Sequence, residues 1–142
     1  MPNIRWLLAL ITRFHRWLFL ATDGRIGDRV LGFRFLLLEH VGRKTGAARK
    51  TPLLYVENEG RFLVAASNAG DAREPAWWLN LKSRPEAAVR LGRRTVLVKA
   101  RAAGPVEQAT LWPLLCESYS YFDAYRERAG REIPIVLLEP TG

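Results

Sequence analysis

The alternation of apolar and polar positions along the chain predicts a sheet protein with a few helices. Six short stretches are rich in apolar and β-branched residues and are bounded by glycine, proline or asparagine, which is typical of strands. They lie at Phe33–Val41, Leu53–Glu57, Arg61–Ala66, Ala87–Leu91, Thr95–Ala100 and Ile133–Leu138. Because most are joined by short turns, they favour antiparallel pairing. The predicted fold class is therefore α+β, with a six-stranded antiparallel sheet curled into a small barrel with helices at its ends.

Helical segments are predicted between these strands. Pro75 precedes the segment AWWLNLKS, and proline at the start of a helix sacrifices no hydrogen bond. Pro105 opens a second helix that carries several leucines, and residues 122–129 form a third. Neither a Walker loop nor a GxGxxG motif occurs.

The first residues form a different kind of segment. Residues 4–21 (IRWLLALITRFHRWLFLA) have the length of a membrane span, but arginines interrupt them, and Arg13 would lie near the bilayer centre. At helical spacing the polar positions share one face, which predicts an amphipathic helix. Its apolar face, which includes Trp17, either packs on the protein or contacts a membrane surface. We expect one domain, 1–142, with residues 1–27 as this helix and its connector and residues 33–140 as the barrel.

Charge then narrows the class of ligand. The chain has 22 Lys and Arg against 14 Asp and Glu, a net charge of +8, which favours an anionic partner. The cations are scattered and no nucleic-acid motif is present, so we expect no nucleic-acid binding. Cys116 is the single cysteine, which indicates a reducing compartment and a cytoplasmic protein. His15 and His40 are not at metal-ligand spacing, so no metal is expected.

The cations are densest in the segment GRKTGAARK, residues 42–50. Its glycines allow successive N–H groups to point into one concavity, and its arginines and lysines suit phosphate. The pattern predicts an anion site, although a solvated basic turn is also compatible with it.

Two aromatic stretches could complete a ligand site. Trp77 and Trp78 are adjacent on a predicted helix and point about 100° apart, so one can pack inward while the other forms a wall for a flat ligand. Tyr119, Phe122 and Tyr125 form an aromatic patch that could line a pocket for an aromatic or quinone-like substrate. Core packing is the alternative for both stretches.

Together these stretches resemble a known family. The runs GRKTGAARKTPLLYV, FLVAASNAG, PAWWLNL and REIPIVLLEP are similar in order, spacing and wording to the deazaflavin-dependent nitroreductase family of bacteria, from Phe35 to Pro140. The resemblance implies a split β-barrel that binds reduced coenzyme F420 and passes a hydride to quinones or nitroaromatics. It also implies membrane association through an N-terminal helix, since several members have one.

The resemblance implies a role for each matching position. The phosphate and acidic tail of the cofactor would be held by Gly42, Arg43, Lys44, Thr45 and Arg49. The deazaflavin ring would be flanked by Pro52, Ala66, Ser67, Asn68, Ala76 and Trp77. The substrate would meet Phe122 and Trp17, with Tyr119 and Tyr125 as the catalytic candidates.

Two positions depart from the family pattern. Asn68 stands where some members have lysine, and Phe122 stands where nitro-reducing members have tyrosine. The second departure makes activation of bulky nitro compounds doubtful and affects quinone reduction less, since Tyr125 or solvent could supply a proton.

The sequence thus predicts a cytoplasmic F420H2-dependent oxidoreductase with a quinone-like or nitroaromatic acceptor. Peripheral contact with the inner face of the membrane stays one of the two roles open to residues 4–21. Two alternatives remain open at this point: a reductase that binds flavin mononucleotide (FMN), and a non-enzymatic module for lipid or fatty acid on the same scaffold. The oligomeric state is left open.

Overall fold

The computed structural model describes residues 29–30, 33–67, 72–119 and 122–141. The predicted amphipathic helix, with Trp17, lies outside the described residues, as does Asn68. The strands are β1 (Arg29–Val30), β2 (Phe33–Val41), β3 (Ala48–Leu54), β4 (Val56–Asn58), β5 (Arg61–Ala65), β6 (Glu86–Leu91), β7 (Arg94–Ala102) and β8 (Ile135–Pro140). The helices are α1 (Ala76–Ser83), α2 (Pro105–Ser118) and α3 (Phe122–Ala129).

All strand pairings are antiparallel, as predicted, and the sheet is curled. Along one path the strands follow the order β1-β2-β6-β7-β8-β5-β4, and β3 pairs with β2. Strands β3 and β4 therefore lie at opposite edges of the sheet, yet they are consecutive in the chain and separated only by Tyr55. A single segment bent at Tyr55 thus connects the two edges, which is consistent with a split barrel.

The predicted count of six strands is wrong, because the described residues contain eight. The bend at Tyr55 divides one predicted strand into β3 and β4, and the short strand β1 adds another. The predicted bounds also shift. Ala48–Lys50, predicted as loop, belong to β3, opposite residues 39–41 of β2, and the last strand begins at Ile135 rather than Ile133.

Alternation along the central strands produces two cores. In β5 and β8, Phe62, Val64 and Leu138 face one apolar cluster, while Leu63 and Leu137 face the other. The first cluster also receives α1, and the second is covered by α2 and α3. Because side chains of a strand alternate between faces, strands that are buried on both sides must be apolar throughout, as the run IVLL of β8 is.

The helices begin and end close to the predicted positions. Helix α1 comprises the predicted segment AWWLNLKS, but both of its tryptophans are buried, Trp77 at 7% exposure and Trp78 at 6%. At the start of α2, the Glu107 carboxylate accepts a hydrogen bond from the Gly104 N–H, at 3.0 Å. This contact satisfies a backbone donor that a helix N-terminus leaves unpaired. No helix in the described part of the chain combines the length and the apolar character needed to cross a bilayer.

A cationic cavity and a neighbouring apolar cavity

A cavity of about 540 Å³ lies between the β2–β3 hairpin and helix α1. We call it the cationic cavity. Its described lining carries four cationic side chains and contains no carboxylate. The lining residues are His40, Gly42, Arg43, Lys44, Thr45, Ala48, Arg49, Lys50, Thr51, Ala76, Trp77 and Asn80.

The hairpin loop holds a fixed shape through its own backbone. The Gly42 N–H donates to the Ala47 carbonyl at 2.9 Å, and the Gly46 N–H donates to the Gly42 carbonyl at 2.8 Å. Gly46 has φ of +72°, a conformation that glycine adopts without the strain of a Cβ atom. A Cβ atom on Gly42 would lie 3.2 Å from Thr45 Oγ1 and 3.3 Å from Arg49 Nε. The glycines therefore allow the cationic side chains to converge on one wall.

A chain of buried polar groups forms the floor of this cavity. Asn80 Oδ1 accepts two hydrogen bonds from Arg43, one from the backbone N–H at 3.1 Å and one from the guanidinium at 2.9 Å. Asn80 Nδ2 lies 3.2 Å from His40 Nδ1, and His40 Nε2 lies 2.9 Å from Thr51 Oγ1. Asn80 and His40 are each only 6% exposed, so each hydrogen bond satisfies a group that would be costly to bury alone. Helix α1 is thereby connected to Arg43 and to β3.

Burial changes the pKa of His40, the histidine among these hydrogen-bonded groups. Desolvation lowers the pKa of His40, and the nearby positive charge of Arg49 lowers it further. The imidazole is consequently neutral at physiological pH, and the positive charge of the cavity comes from its arginines and lysines.

A second, smaller cavity of about 240 Å³ lies further along β3. We call it the apolar cavity, and its lining is Phe35, Pro52, Leu53, Leu54, Ala65, Ser67, Phe122 and Tyr125. The rings of Phe122 and Tyr125 meet edge to face, with centroids 6.1 Å apart. Residues 48–51 of β3 line the cationic cavity and residues 52–54 line the apolar one, so the two cavities are neighbours along one strand.

The backbone that follows β5 is fixed by Arg131. Its guanidinium donates to the carbonyl oxygens of Ala66 at 3.1 Å, Ser67 at 3.4 Å and Arg73 at 3.2 Å. These contacts hold Ser67 at the apolar cavity and connect the two described ends that flank residues 68–71.

The structure distributes the residues that the sequence singled out between these two cavities. Seven line the cationic cavity: Gly42, Arg43, Lys44, Thr45, Arg49, Ala76 and Trp77. Four line the apolar cavity: Pro52, Ser67, Phe122 and Tyr125. Ala66 is fully buried in the first core cluster and lines neither cavity.

Tyr119 does not occupy the position that a catalytic role requires. It is 3% exposed and lines neither cavity. Its hydroxyl donates to the Tyr55 carbonyl at 2.8 Å and accepts from the Arg34 N–H at 3.3 Å. Burial raises the pKa of this phenol, which makes it a poorer source of protons. Tyr119 instead joins the end of α2 to the bend between β3 and β4.

Sequence reasoning did not assign the polar chain beneath the cationic cavity. Asn80 was seen only as part of a helical motif, and His40 only as a histidine without a metal-binding neighbour. A usable signal existed, because an asparagine one helical turn after Ala76 and Trp77 shares the face of α1 that those residues present.

The donor set fits an elongated polyanion with a flat end. Guanidinium and ammonium groups surround the cationic cavity, Trp77 borders it, and β3 leads from it to an apolar space. The predicted concavity of backbone donors is not formed by Gly42, Arg43, Gly46 and Ala47, because their N–H groups donate to acceptors within the protein. Fold and cavities define a small antiparallel barrel that has a cationic cavity next to an apolar one.

Comparison with known proteins identifies the family. The family model "F420H(2)-dependent quinone reductase" matches residues 11–140. The chain is 35% identical to the F420H(2)-dependent quinone reductase Rv1261c of Mycobacterium tuberculosis, over 94% of this chain and 95% of that protein. This protein therefore belongs to the F420H2-dependent quinone reductase family, and it is an oxidoreductase whose cofactor is coenzyme F420.

Solved structures agree with this assignment. The F420-H2 dependent reductase FDR-A superimposes with a TM-score of 0.69 at 31% identity, over 74% of this chain and 93% of that one. A chain from a domain-swapped dimer superimposes with a TM-score of 0.72 at 29% identity, over 92% of this chain and 96% of that one. These comparisons give no support to FMN as the cofactor, and they favour an enzyme over a lipid-binding module.

Proposed function

We propose that this protein transfers a hydride from reduced F420 to a quinone-like acceptor, with the cofactor along β3 and the acceptor in the apolar cavity. The observation that carries the proposal is the continuity of β3, whose residues line first the cationic and then the apolar cavity. A strand rises about 3.3 Å per residue, so the path from Ala48 to Leu54 extends over about 20 Å. An elongated cofactor can follow this path from one cavity to the other.

The cationic cavity would bind the anionic part of the cofactor. Arg43 and Arg49 present planar guanidinium groups that match the oxygens of phosphate or carboxylate, and Lys44 adds a point charge. Gly42 leaves the space that Arg49 Nε and Thr45 Oγ1 occupy. This arrangement fits a phosphate that continues into an acidic tail.

The ring would lie where the two cavities meet. Trp77 and Ala76 border this region from α1, while Pro52 and Ser67 border it from the barrel. When bound, reduced F420 supplies the hydride, and the protein supplies orientation and exclusion of water. Ala66 is buried, its N–H donates to the Pro134 carbonyl at 3.0 Å and its own carbonyl accepts from Arg131, so we propose no direct hydrogen bond from Ala66 to the ring.

The apolar cavity would bind the acceptor. Its lining is aliphatic and aromatic and carries the hydroxyls of Ser67 and Tyr125 at its border. A quinone that accepts a hydride also needs a proton, and Tyr125 is the hydroxyl in this lining best suited to donate it or to relay it from solvent. Phe122 cannot donate a proton, so we propose that quinones are better acceptors than nitroaromatics.

We further propose that the enzyme acts in the cytoplasm. The single cysteine, Cys116, is half-buried on α2, and a chain with one cysteine forms no internal disulfide. Contact of residues 4–21 with a membrane surface, and a role of Trp17 and Asn68 at the site, stay predictions.

Turnover of the purified full chain with reduced F420 and menadione under anaerobic conditions tests the proposal. We expect oxidation of the cofactor well above the rate without acceptor; a rate equal to that control would contradict the activity.

Leu54→Trp should fill the apolar cavity and raise the KM for menadione at unchanged F420 affinity. Leu97→Trp is the matched control, because Leu97 is 63% exposed on β7. If both variants behave like the wild type, the acceptor binds elsewhere.

A further inference from the structure

The buried polar chain below the cationic cavity has a defined direction. Asn80 Oδ1 accepts both hydrogen bonds from Arg43, so its Nδ2 faces His40. An amide nitrogen donates and does not accept, and therefore His40 Nδ1 must be the acceptor and carry no proton. The other orientation of the amide would place its NH2 group against two N–H donors of Arg43.

The tautomer of His40 follows from this. A neutral imidazole with Nδ1 unprotonated carries its proton on Nε2. Nε2 lies 2.9 Å from Thr51 Oγ1, so its N–H donates a hydrogen bond to the threonine hydroxyl. A threonine hydroxyl that has accepted a hydrogen bond still holds its own proton, which it can donate to another group. Thr51 lines the cationic cavity in the middle of β3, immediately before the residues of that strand that line the apolar cavity.

We propose that Thr51 is a cofactor-binding residue that donates a hydrogen bond to the anionic part of F420, and that Asn80 and His40 are positioning residues that orient this donor. The proposal rests on the function proposed above and adds to it one binding residue and two positioning residues. This series of hydrogen bonds orients two donors, Arg43 and Thr51. The Asn80 oxygen accepts from Arg43, and this sets the direction of the hydrogen bonds from Asn80 to His40 and from His40 to Thr51.

The orientation requires a neutral histidine. A proton on His40 Nδ1 would oppose the NH2 group of Asn80, and relief by an amide flip would release Arg43. The charged groups that line the same cavity as the imidazole are Arg43 and Lys44 of the hairpin and Arg49 and Lys50 of β3. Glu39, which precedes His40 on β2, is on the other face of the strand and pairs with Arg90 of β6. Helix α1 contributes the uncharged Asn80 and Trp77. Positive neighbours and burial both oppose protonation, in agreement with the lowered pKa of His40.

Two measurements test the inference. First, ¹⁵N NMR of the imidazole in the full chain without cofactor should show the tautomer with a protonated Nε2 and a bare Nδ1. The opposite tautomer would overturn the proposal, and this readout does not depend on activity or on cofactor binding.

Second, F420 affinity is measured by fluorescence titration of matched variants. Thr51→Val keeps the shape of the side chain and removes the donor, and should raise the Kd about three- to tenfold, whereas Thr51→Ser should bind like the wild type. Thr95→Val is the control, an exposed threonine on β7 that lines neither cavity. His40→Gln can still donate towards Thr51 and should bind more tightly than His40→Asn. In the Thr51→Val background this difference should disappear.

The outcomes separate this inference from the proposed function. Wild-type protein that does not bind F420 contradicts the proposed function, and the NMR measurement then decides on the polar chain alone. Wild-type protein that binds F420, with Thr51→Val binding equally well, overturns only the role of Thr51.

Discussion

Two clusters of arginines in this molecule have opposite surroundings. Near the start of α2, Arg101 binds Glu107 through two hydrogen bonds of 2.7 and 2.9 Å and contacts Glu139 at 2.9 Å. Arg61 lies 3.6 Å from Glu107 in the same cluster. In the cationic cavity, Arg43 donates to the neutral amide of Asn80, and the described lining contains no carboxylate. In the first cluster the described carboxylates match the arginines directly, whereas no carboxylate is among the described residues that line the cationic cavity.

The comparison distinguishes arginines that stabilise the fold, such as Arg101, from the arginines of the cationic cavity, which we propose bind a ligand. The matched cluster joins β7, β8 and the N-terminus of α2, so its role is complete in the protein alone. The cationic cavity concentrates positive charge at a concave surface, and we propose that an external anion, the tail of F420, binds there. Net charge alone does not distinguish the two roles, because both clusters contribute arginines to it.

The largest expected effect is on cofactor affinity. Arg43→Ala combined with Lys44→Ala should raise the Kd for F420 about 100-fold, because two charge-assisted contacts are lost. The measurement is fluorescence titration at fixed ionic strength. Arg93→Ala with Arg94→Ala removes the same charge at the exposed β6–β7 turn and should leave the Kd within about twofold of wild type. Equal losses in both double variants would mean that total charge, and not the cavity, binds the cofactor.

The next largest expected effect is that of ionic strength on the affinity of the cationic cavity for F420. Raising salt from about 0.05 to 0.5 M shortens the screening length severalfold and should raise the Kd for F420 about tenfold. A deazaflavin chromophore without phosphate or tail should show little change in affinity, since it lacks the charges that the cavity binds. A salt dependence shared by both ligands would contradict a tail-binding role for the cationic cavity.

Glu107→Gln should lower stability while cofactor affinity stays within about twofold of wild type. Hydrogen bonds from Arg101, and then from the Gly104 N–H, lower the pKa of Glu107 to about 2. The carboxylate therefore stabilises the fold above its ordinary pKa, and this contribution is lost as pH falls towards that lowered value. Thermal melts of both proteins should show a Tm difference of a few degrees at about pH 7 that shrinks as acid protonates the wild-type carboxylate. Loss of F420 binding in this variant would show that the two clusters are not independent.

The smallest expected effect comes from His40. Its pKa is lowered in the folded state, so below the ordinary value of about 6.5 the unfolded chain binds a proton that the folded chain does not. Unfolding free energy should therefore fall as pH drops through this range, by at most about 1.4 kcal/mol per pH unit. Denaturant titrations between about pH 7 and 5.5 measure this slope. His40→Gln should show a shallower slope; an identical slope would mean that the polar chain tolerates a charged imidazole.

Much of the fold could be predicted because local pattern and tertiary context agree. Pro75 and Pro105 mark the start of α1 and α2, and Gly92 marks the turn between β6 and β7. Strand bounds in the basic segment were missed, because Ala48–Lys50 are exposed in β3 and carry no apolar alternation. The bend at Tyr55 was missed as well, since it is imposed by sheet closure and not by a glycine or proline.

Residues that line a cavity could be predicted where their side chains are exposed and chemically distinctive, as in the hairpin from Gly42 to Thr45. They could not be predicted where their positions depend on contacts between distant elements. Asn80 accepts two hydrogen bonds from Arg43, which lies 37 positions earlier in the chain. Tyr119 shows the converse, since a tyrosine in an aromatic motif is buried against backbone carbonyls 64 and 85 positions away.

The distance along the sequence between contacting residues affects the order in which the two cavities form during folding. The basic hairpin is built from contacts within one short stretch, so it can form early in folding at little entropic cost. The apolar cavity requires α3 to dock, and α3 follows Tyr119, whose hydroxyl must find partners near the beginning of the barrel. Non-local contacts of this kind form slowly. A newly made chain is thus expected to possess its basic hairpin before its apolar cavity exists.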